Sequence, residues 1–157
     1  MRFVMVDRIE SLDPGVRAVG IKNVTMSEDF LTYHFPDNPV MPGMLILEAM
    51  IQLGNWLIAV SSDFKLKGIL DRVERAKFKT VVRPGDKIEI EVLITRTAEQ
   101  EVFLSGKAKV DGSVTSIAEF SLKTRNMEIF EDPETVRKTF ALLSAIHNKE
   151  RTKYHEF

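Results

Sequence analysis

Two residues in the first third of the chain have side chains that can move protons. His34 precedes a loop with three prolines, and Glu48 follows fourteen positions later in the apolar run MLILEAMIQLGNWLIAV (44–60). Histidine and glutamate are common general acids and bases. A carboxylate is costly to bury unless it is paired or hydrogen-bonded, so both a catalytic and a structural role remain open for Glu48. A lone loop histidine is more often solvated or structural.

The start of the apolar run favours a catalytic role for His34. Pro42 is predicted to be the first helical residue, where its missing N–H costs nothing. The amides of Gly43 and Met44 then have no partner within the helix and lie at the positive end of its dipole. Such amides can stabilise a carbonyl oxygen that gains negative charge.

One long helix is predicted over residues 42–60. Its three polar residues, Glu48, Gln52 and Asn55, are spaced i, i+4 and i+7 and therefore share one side. A carboxylate near the centre of a bilayer is costly, which argues against a membrane span and for a helix buried in the protein core. We expect Gln52 and Asn55 to form hydrogen bonds with neighbouring backbone.

The rest of the chain is rich in β-strand patterns. The predicted strands are residues 16–25, 68–82, 86–96, 101–110 and 113–124. The last two are joined by Asp-Gly at 111–112, which is typical of a two-residue hairpin turn. Parallel strands would need a helical crossover for nearly every pair. The sequence therefore predicts an α+β fold with an antiparallel sheet around one central helix.

A second helix is predicted after the last strand. Asp132 is a candidate N-cap and Pro133 a candidate first helical residue. Its apolar face is predicted from the 3.6-residue period and consists of Val136, Phe140, Leu143 and Ile146. Residues 148–157 form a polar tail.

Composition excludes several classes of function. The 157 residues include no cysteine and carry a net charge of −1, so thiolate chemistry is excluded and broad attraction to nucleic acid is not expected. Three scattered histidines give no metal-ligand spacing, and nucleotide-binding, nucleophile-elbow and metalloprotease motifs are missing. No secretory apolar segment begins the chain, so we expect a cytoplasmic protein.

The segment HFPDNPVMPGMLILEAMIQ (34–52) closely resembles the signature of the 3-hydroxyacyl-[acyl-carrier-protein] dehydratases of bacterial fatty-acid synthesis. The segments VMVDRIESLDPGVRAVGIKNVT (4–25) and AKFKTVVRPGD (76–86) resemble the same family in the same order. The resemblance covers residues 3–124. It is specific because histidine, VMPG and glutamate occur together at the family's spacing.

This resemblance implies a hotdog fold for residues 1–125, and the helical pattern that follows predicts that residues 126–157 form an extension packed on it. It also implies a homodimer, or a trimer of dimers, with active sites at the dimer interface. Each site would combine His34 of one subunit with Glu48 of the other, and the Gly43 amide would form the oxyanion hole.

The family reaction implies a role for each residue. His34 would remove a C2 proton from a 3-hydroxyacyl thioester, and Glu48 would protonate the departing C3 hydroxyl, giving a trans-2-enoyl thioester and water. The implied partner is an acyl carrier protein that holds the substrate on phosphopantetheine. The reaction needs no metal or organic cofactor.

Several features depart from the family pattern. Tyr33 and Asp37 stand where the family usually has glycine, and Val81 and Arg83 where it usually has a proline and an apolar residue. The chain also begins later than is usual and adds a C-terminal helix. Asp37 adds a charge near the predicted site. These departures bear on acyl chain length and pathway more than on the reaction.

A basic segment is a candidate docking surface for the acidic carrier protein. Residues 64–83 contain seven basic and two acidic side chains. Arg75, Lys77 and Lys79 alternate and therefore share one face of a predicted strand. The alternative interpretation is a solvated edge strand whose lysines discourage aggregation.

Two other functions remain open from the sequence alone. A hotdog thioesterase would use Glu48 as the base for water and would leave His34 without an evident role. A non-catalytic acyl-binding subunit would owe its inactivity to Tyr33 and Asp37.

Overall fold

The computed structural model describes residues 3–145, excluding the side chain of Ala145. Six antiparallel strands form one sheet in the order β1-β2-β4-β5-β6-β3. The strands are β1 (Arg8–Asp13), β2 (Arg17–Asn23), β3 (Leu66–Phe78), β4 (Lys87–Ala98), β5 (Glu101–Val110) and β6 (Ser113–Asn126). The predicted antiparallel α+β class is confirmed.

One long helix, α1 (Gly43–Ser61), packs against β2 to β6. By length and composition it could cross a membrane, but its apolar residues form the centre of the protein core. Met50, Leu53 and Leu57 are fully buried. A Cβ on Gly106 of β5 would lie 2.6 Å from the Met50 sulfur, so glycine allows this close approach of helix and sheet.

The β5–β6 hairpin has the predicted Asp-Gly turn. Asp111 and Gly112 have positive φ angles of 50° and 77°. Two positive angles are what a type I′ turn requires, and its twist matches that of the strands it joins.

Strand β3 ends earlier than predicted, at Phe78 rather than at residue 82. The Lys79 amide still donates to Thr115, but the carbonyl of Val82 accepts from Met41. Residues after Phe78 therefore leave the sheet to run beside the loop before α1. Within the described residues β3 is an edge strand. Its apolar side chains that are more than a third exposed are Leu66, Ile69, Leu70, Val73 and Phe78.

The C-terminal helix, α2 (Pro133–Ala145), follows a short 3-10 helix at Met127–Ile129. Asp132 caps α2 as predicted, because its carboxylate accepts from the Thr135 amide at 3.0 Å and the Thr135 hydroxyl at 2.7 Å. These bonds, the hydroxyl bond above all, lower the pKa of the Asp132 carboxyl.

The predicted apolar face of α2 packs against the C-terminal half of α1. Val136 is buried, and the Phe140 ring lies 5.9 Å from the Trp56 ring and 5.8 Å from the Phe64 ring. Ile146 and the tail at 148–157 lie outside the described residues. The division of the chain between residues 125 and 126 remains a prediction.

Candidate active site

His34 is held by backbone hydrogen bonds from both sides of its loop. Its amide donates to Phe30 at 3.1 Å, and its carbonyl accepts from Val40 at 2.9 Å. The imidazole Nδ1 lies 2.9 Å from the Val40 carbonyl oxygen. Because a carbonyl can only accept, Nδ1 carries the proton in this contact. The neutral ring therefore has Nε2 free to accept a proton.

The rest of the loop folds back on the histidine. The Phe35 ring stacks on the imidazole with centroids 4.2 Å apart, and the backbones of Phe35 and Asn38 exchange two hydrogen bonds. Arg83 donates from Nη1 to the Asn38 side-chain oxygen at 2.6 Å. The segment that follows β3 therefore helps to hold the His34 loop.

The start of α1 lies beside His34. Pro42 has φ −56° and ψ 131°, so it is the N-cap rather than the first helical residue as predicted. An extended ψ at this position starts the helix one residue later, at Gly43. The Leu45 amide donates to the Pro42 carbonyl. The amides of Gly43 and Met44 are left without an acceptor within the helix, as predicted.

Gly43 and His34 line one cavity of about 290 Å³, together with Phe78, Lys79 and Val81. A Cβ on Gly43 would lie 2.7 Å from the Phe78 ring. This position therefore has no room for a side chain, because the Phe78 ring packs against it.

Glu48 projects from α1 and is half-buried. Its Oε1 accepts from Gln52 Nε2 at 2.8 Å. The same Gln52 accepts from the Met5 amide at 2.8 Å and donates to the Phe3 carbonyl at 3.1 Å. Gln52 thus fixes both the carboxylate and the first described residues of the chain.

The third polar residue on this side of α1 forms the kind of hydrogen bond that the sequence predicts. Asn55 accepts from the Gly68 amide on β3 at 2.8 Å. The expectation that Gln52 and Asn55 bond to neighbouring backbone is therefore confirmed.

Glu48 lines a second cavity of about 350 Å³, with Gln52, Asn55, Trp56 and Lys67 among its walls. His34 is not among its lining residues, and Glu48 does not line the His34 cavity. Within one chain, the two residues of the predicted catalytic pair therefore line separate cavities.

Most of the other predicted site residues lie outside the two cavities. Tyr33, Asp37 and Met44 are exposed, and they line neither cavity, nor does Pro42. Of the three docking candidates, Lys79 lines the His34 cavity and Arg75 forms an ion pair with Glu119 at 2.5 Å. Lys77 is exposed on β3.

Several residues that line the two cavities were not predicted from the sequence to belong to a site. Phe78 and Val81 lie within the segment 76–86 that resembles the family, yet only the pairing of the Met41 amide with the Val82 carbonyl brings this segment beside the His34 loop. Trp56 and Lys67 line the Glu48 cavity. Within residues 3–145, no group of three or more His, Cys, Asp or Glu side chains is placed to hold a metal ion.

Comparison with solved structures identifies the hotdog fold. The dehydratase heterocomplex ApeI:P from Xenorhabdus doucetiae matches with a TM-score of 0.62 at 17% identity, covering 78% of this chain and 99% of that one. A hypothetical thioesterase protein with coenzyme A from Streptococcus pneumoniae TIGR4 matches with a TM-score of 0.61 at 14% identity, covering 76% and 88%. At these identities the likeness is one of fold.

Comparison with sequences then identifies the family. Residues 1–119 match the FabA-like domain. The 3-hydroxyacyl-[acyl-carrier-protein] dehydratase FabZ of Thermoanaerobacter sp. (strain X514) is 46% identical over 118 residues, which are 74% of this chain and 83% of that protein. FabZ of Bacillus velezensis (strain DSM 23117 / BGSC 10A6 / LMG 26770 / FZB42) is 42% identical over 120 residues, covering 76% and 85%. The chain belongs to the FabA-like family, as its sequence predicted.

Proposed function

We propose that this protein dehydrates 3-hydroxyacyl-[acyl-carrier-protein] thioesters to trans-2-enoyl thioesters in fatty-acid or related acyl-chain synthesis in the cytoplasm. The observation that carries this proposal is the contact of His34 Nδ1 with the Val40 carbonyl. That contact leaves Nε2 as a base in the same cavity as the free amide of Gly43. A base beside an oxyanion-stabilising amide is what removal of a proton next to a thioester carbonyl requires.

The reaction follows from these groups. His34 Nε2 takes a proton from C2, and the thioester oxygen gains negative charge that the Gly43 amide and the α1 dipole stabilise. Glu48 donates a proton to the C3 hydroxyl, the C3–O bond breaks and water leaves as the C2–C3 double bond forms. The imidazolium and the carboxylate then exchange a proton through water, which restores both groups.

The two halves of this site meet in a homodimer. Because His34 and Glu48 line separate cavities within one chain, a second copy has to supply the missing half. Strand β3 offers the contact, since it is a 13-residue edge with exposed apolar side chains. Such an edge is a template for pairing with another chain.

A mixed-dimer experiment tests this arrangement. His34→Ala chains and Glu48→Gln chains, each inactive alone, are refolded together and the heterodimers isolated. We expect partial recovery of activity, because one of the two interface sites is then intact. A lack of recovery in verified heterodimers, or a stable monomer in sedimentation, would contradict shared sites. Sedimentation also distinguishes a dimer from a trimer of dimers.

Product analysis tests the reaction itself. The pure protein is incubated with 3-hydroxyacyl thioesters and the products are separated by mass. We expect an enoyl thioester. A free acid would indicate a thioesterase, and unchanged substrate would indicate a non-catalytic acyl-binding protein.

Carrier docking is proposed for Arg75, Lys77 and Lys79. Its support is the place of Lys79 at the wall of the His34 cavity, where a phosphopantetheine arm has to enter. Charge reversal at the three positions is expected to raise KM for carrier-bound substrate, since complementary charge mainly promotes encounter. Turnover of a small thioester should stay the same when only Arg75 and Lys77 are reversed, because these two residues line neither cavity. Equal losses on both substrates would indicate a role in the fold or the site, and no loss on either would favour a solvated edge strand.

A further inference from the structure

The Glu48 cavity extends along one side of α1 towards its C-terminal end. The α1 residues in its wall are Glu48, Gln52, Asn55, Trp56 and Ala59. The last lies eleven positions after the first, which is about 16 Å along a helix. The cavity is therefore an elongated groove with the carboxylate at one end.

The far end of this groove is closed by residues outside the family match. Met127, Glu131 and Val136 line the cavity, whereas the FabA-like match ends at residue 119. Val136 is buried and packs in one cluster with Ala59 and Met127.

The side of the groove is closed by an ion pair. Lys67 on β3 pairs with Glu131, and the Lys67 ammonium also lies 5.5 Å from the centre of the Phe130 ring. A methyl terminus that approached this pair would desolvate charged groups, which is unfavourable.

The chemistry of the substrate places its acyl tail in this groove. Under the proposed function, the C3 hydroxyl has to reach Glu48 while the thioester stays at the Gly43 amide. The carbons from C4 onward therefore continue past Glu48, on the side away from the thioester. The groove of about 350 Å³ is near the lower end of the range for ligand pockets.

We propose that the C-terminal extension, residues 126–145, acts as the end wall of the acyl groove and sets the upper limit of chain length. This inference rests on the proposed function. Val136 is the apolar stop at the end of the groove, and the Lys67–Glu131 pair is the polar stop at its side. Both are specificity-determining positions.

The test compares kcat/KM for 3-hydroxyacyl thioesters of graded chain length in the full-length protein. Val136→Ala is expected to shift the preference towards longer chains, and Val136→Phe towards shorter chains. A methylene in an apolar pocket changes specificity by about tenfold or more, so we expect opposite shifts of about that size. Leu142→Ala is the matched control, because Leu142 lies on the same helix but is exposed and does not line the groove.

If Val136→Phe does not fold, a second variant tests the same proposal. Lys67→Met combined with Glu131→Leu replaces the ion pair by apolar groups of similar size, and the loss of a partly exposed ion pair costs little stability. We expect it to raise kcat/KM for long chains relative to short ones by about tenfold.

The outcomes separate this inference from the function on which it rests. Enoyl product from the wild-type protein, with the same chain-length profile in Val136→Ala and in the Lys67/Glu131 variant, would overturn the end-wall proposal alone. The same shift in Leu142→Ala as in Val136→Ala would also overturn it. Lack of enoyl product from the wild-type protein at every chain length would overturn both proposals.

Discussion

His34 and Glu48 are held in place in different ways. His34 lies in an irregular loop, and its orientation depends on carbonyls and amides of Phe30 and Val40. Glu48 projects from a regular helix and is fixed by one side chain, Gln52, four residues along. The orientation of His34 therefore depends on the backbone fold of its whole loop, whereas that of Glu48 depends on one neighbouring side chain. Substitutions can test this contrast.

The largest loss of activity is expected from substitution of His34 or Glu48. His34→Ala and Glu48→Gln should each lower kcat/KM by at least about a hundredfold, the usual scale for losing a general acid or base. Circular dichroism should show that both variants stay folded. Glu128→Gln is the matched control because Glu128 is exposed and outside both cavities. Near-normal turnover in either variant would contradict the assigned roles.

Gly43→Ala tests the packing at the start of α1, beside His34, the proposed base. The new Cβ would lie 2.7 Å from the Phe78 ring, so we expect a tenfold or greater loss of activity and a destabilisation of about 1–3 kcal/mol, as is usual for overpacking. Adding Phe78→Leu to Gly43→Ala should recover part of the stability in thermal unfolding. An unchanged melting temperature in Gly43→Ala would show that the Phe78 ring can move away from the new Cβ without loss of stability.

Gln52→Ala tests the side chain that holds Glu48, the proposed acid. We expect kcat to fall several-fold with little change in KM, because Gln52 positions Glu48. The melting temperature should also fall, since the Met5 amide loses its acceptor, and a buried group left unpaired costs about 1–3 kcal/mol. Gln100→Ala, at an exposed glutamine, is the control. A fall in stability with full kcat would mean that Gln52 only anchors the first residues.

The smallest effect concerns the cap of α2. Hydrogen bonds from Thr135 lower the pKa of Asp132 below its ordinary value of 3.8. A lowered folded-state pKa adds stability above the unfolded value, and this contribution is lost as pH falls through the folded value. Asp132→Asn should therefore lower the melting temperature at pH 7 by more than at pH 2. An equal difference at both pH values would show that the ionised carboxylate does not contribute.

The sequence predicted those parts of the fold that depend on local patterns. Ile88, Ile90 and Val92 alternate in the sequence and are fully buried on β4. The Asp-Gly turn and the Asp132 cap each depend on a few consecutive residues, and the shared side of Glu48 and Gln52 follows from helical spacing.

The parts that the sequence did not predict depend on contacts between distant segments. The early end of β3 and the support of the His34 loop both involve the pairing of Met41 with Val82. The bond from Arg83 to Asn38 spans 45 residues. No periodicity in the chain encodes such contacts. The catalytic roles of His34 and Glu48 and the oxyanion role of Gly43 remain predictions.

The strand order also has a consequence for folding kinetics. The strands β4, β5 and β6 follow one another in the chain, and the β5–β6 pairing begins at Val110 and Ser113. Strand β3 pairs with β6 between residues as far apart as Leu66 and Asn126, so a much longer loop has to close before it docks. Strand β2 pairs with β4 over a still longer separation, from Asn23–Lys87 to Arg17–Leu93. We therefore expect β3 to join after β4, β5 and β6 have paired and before β2 docks. The dimer contact proposed for β3 can form only after β3 has joined, so refolding should include a later phase that becomes faster at higher protein concentration.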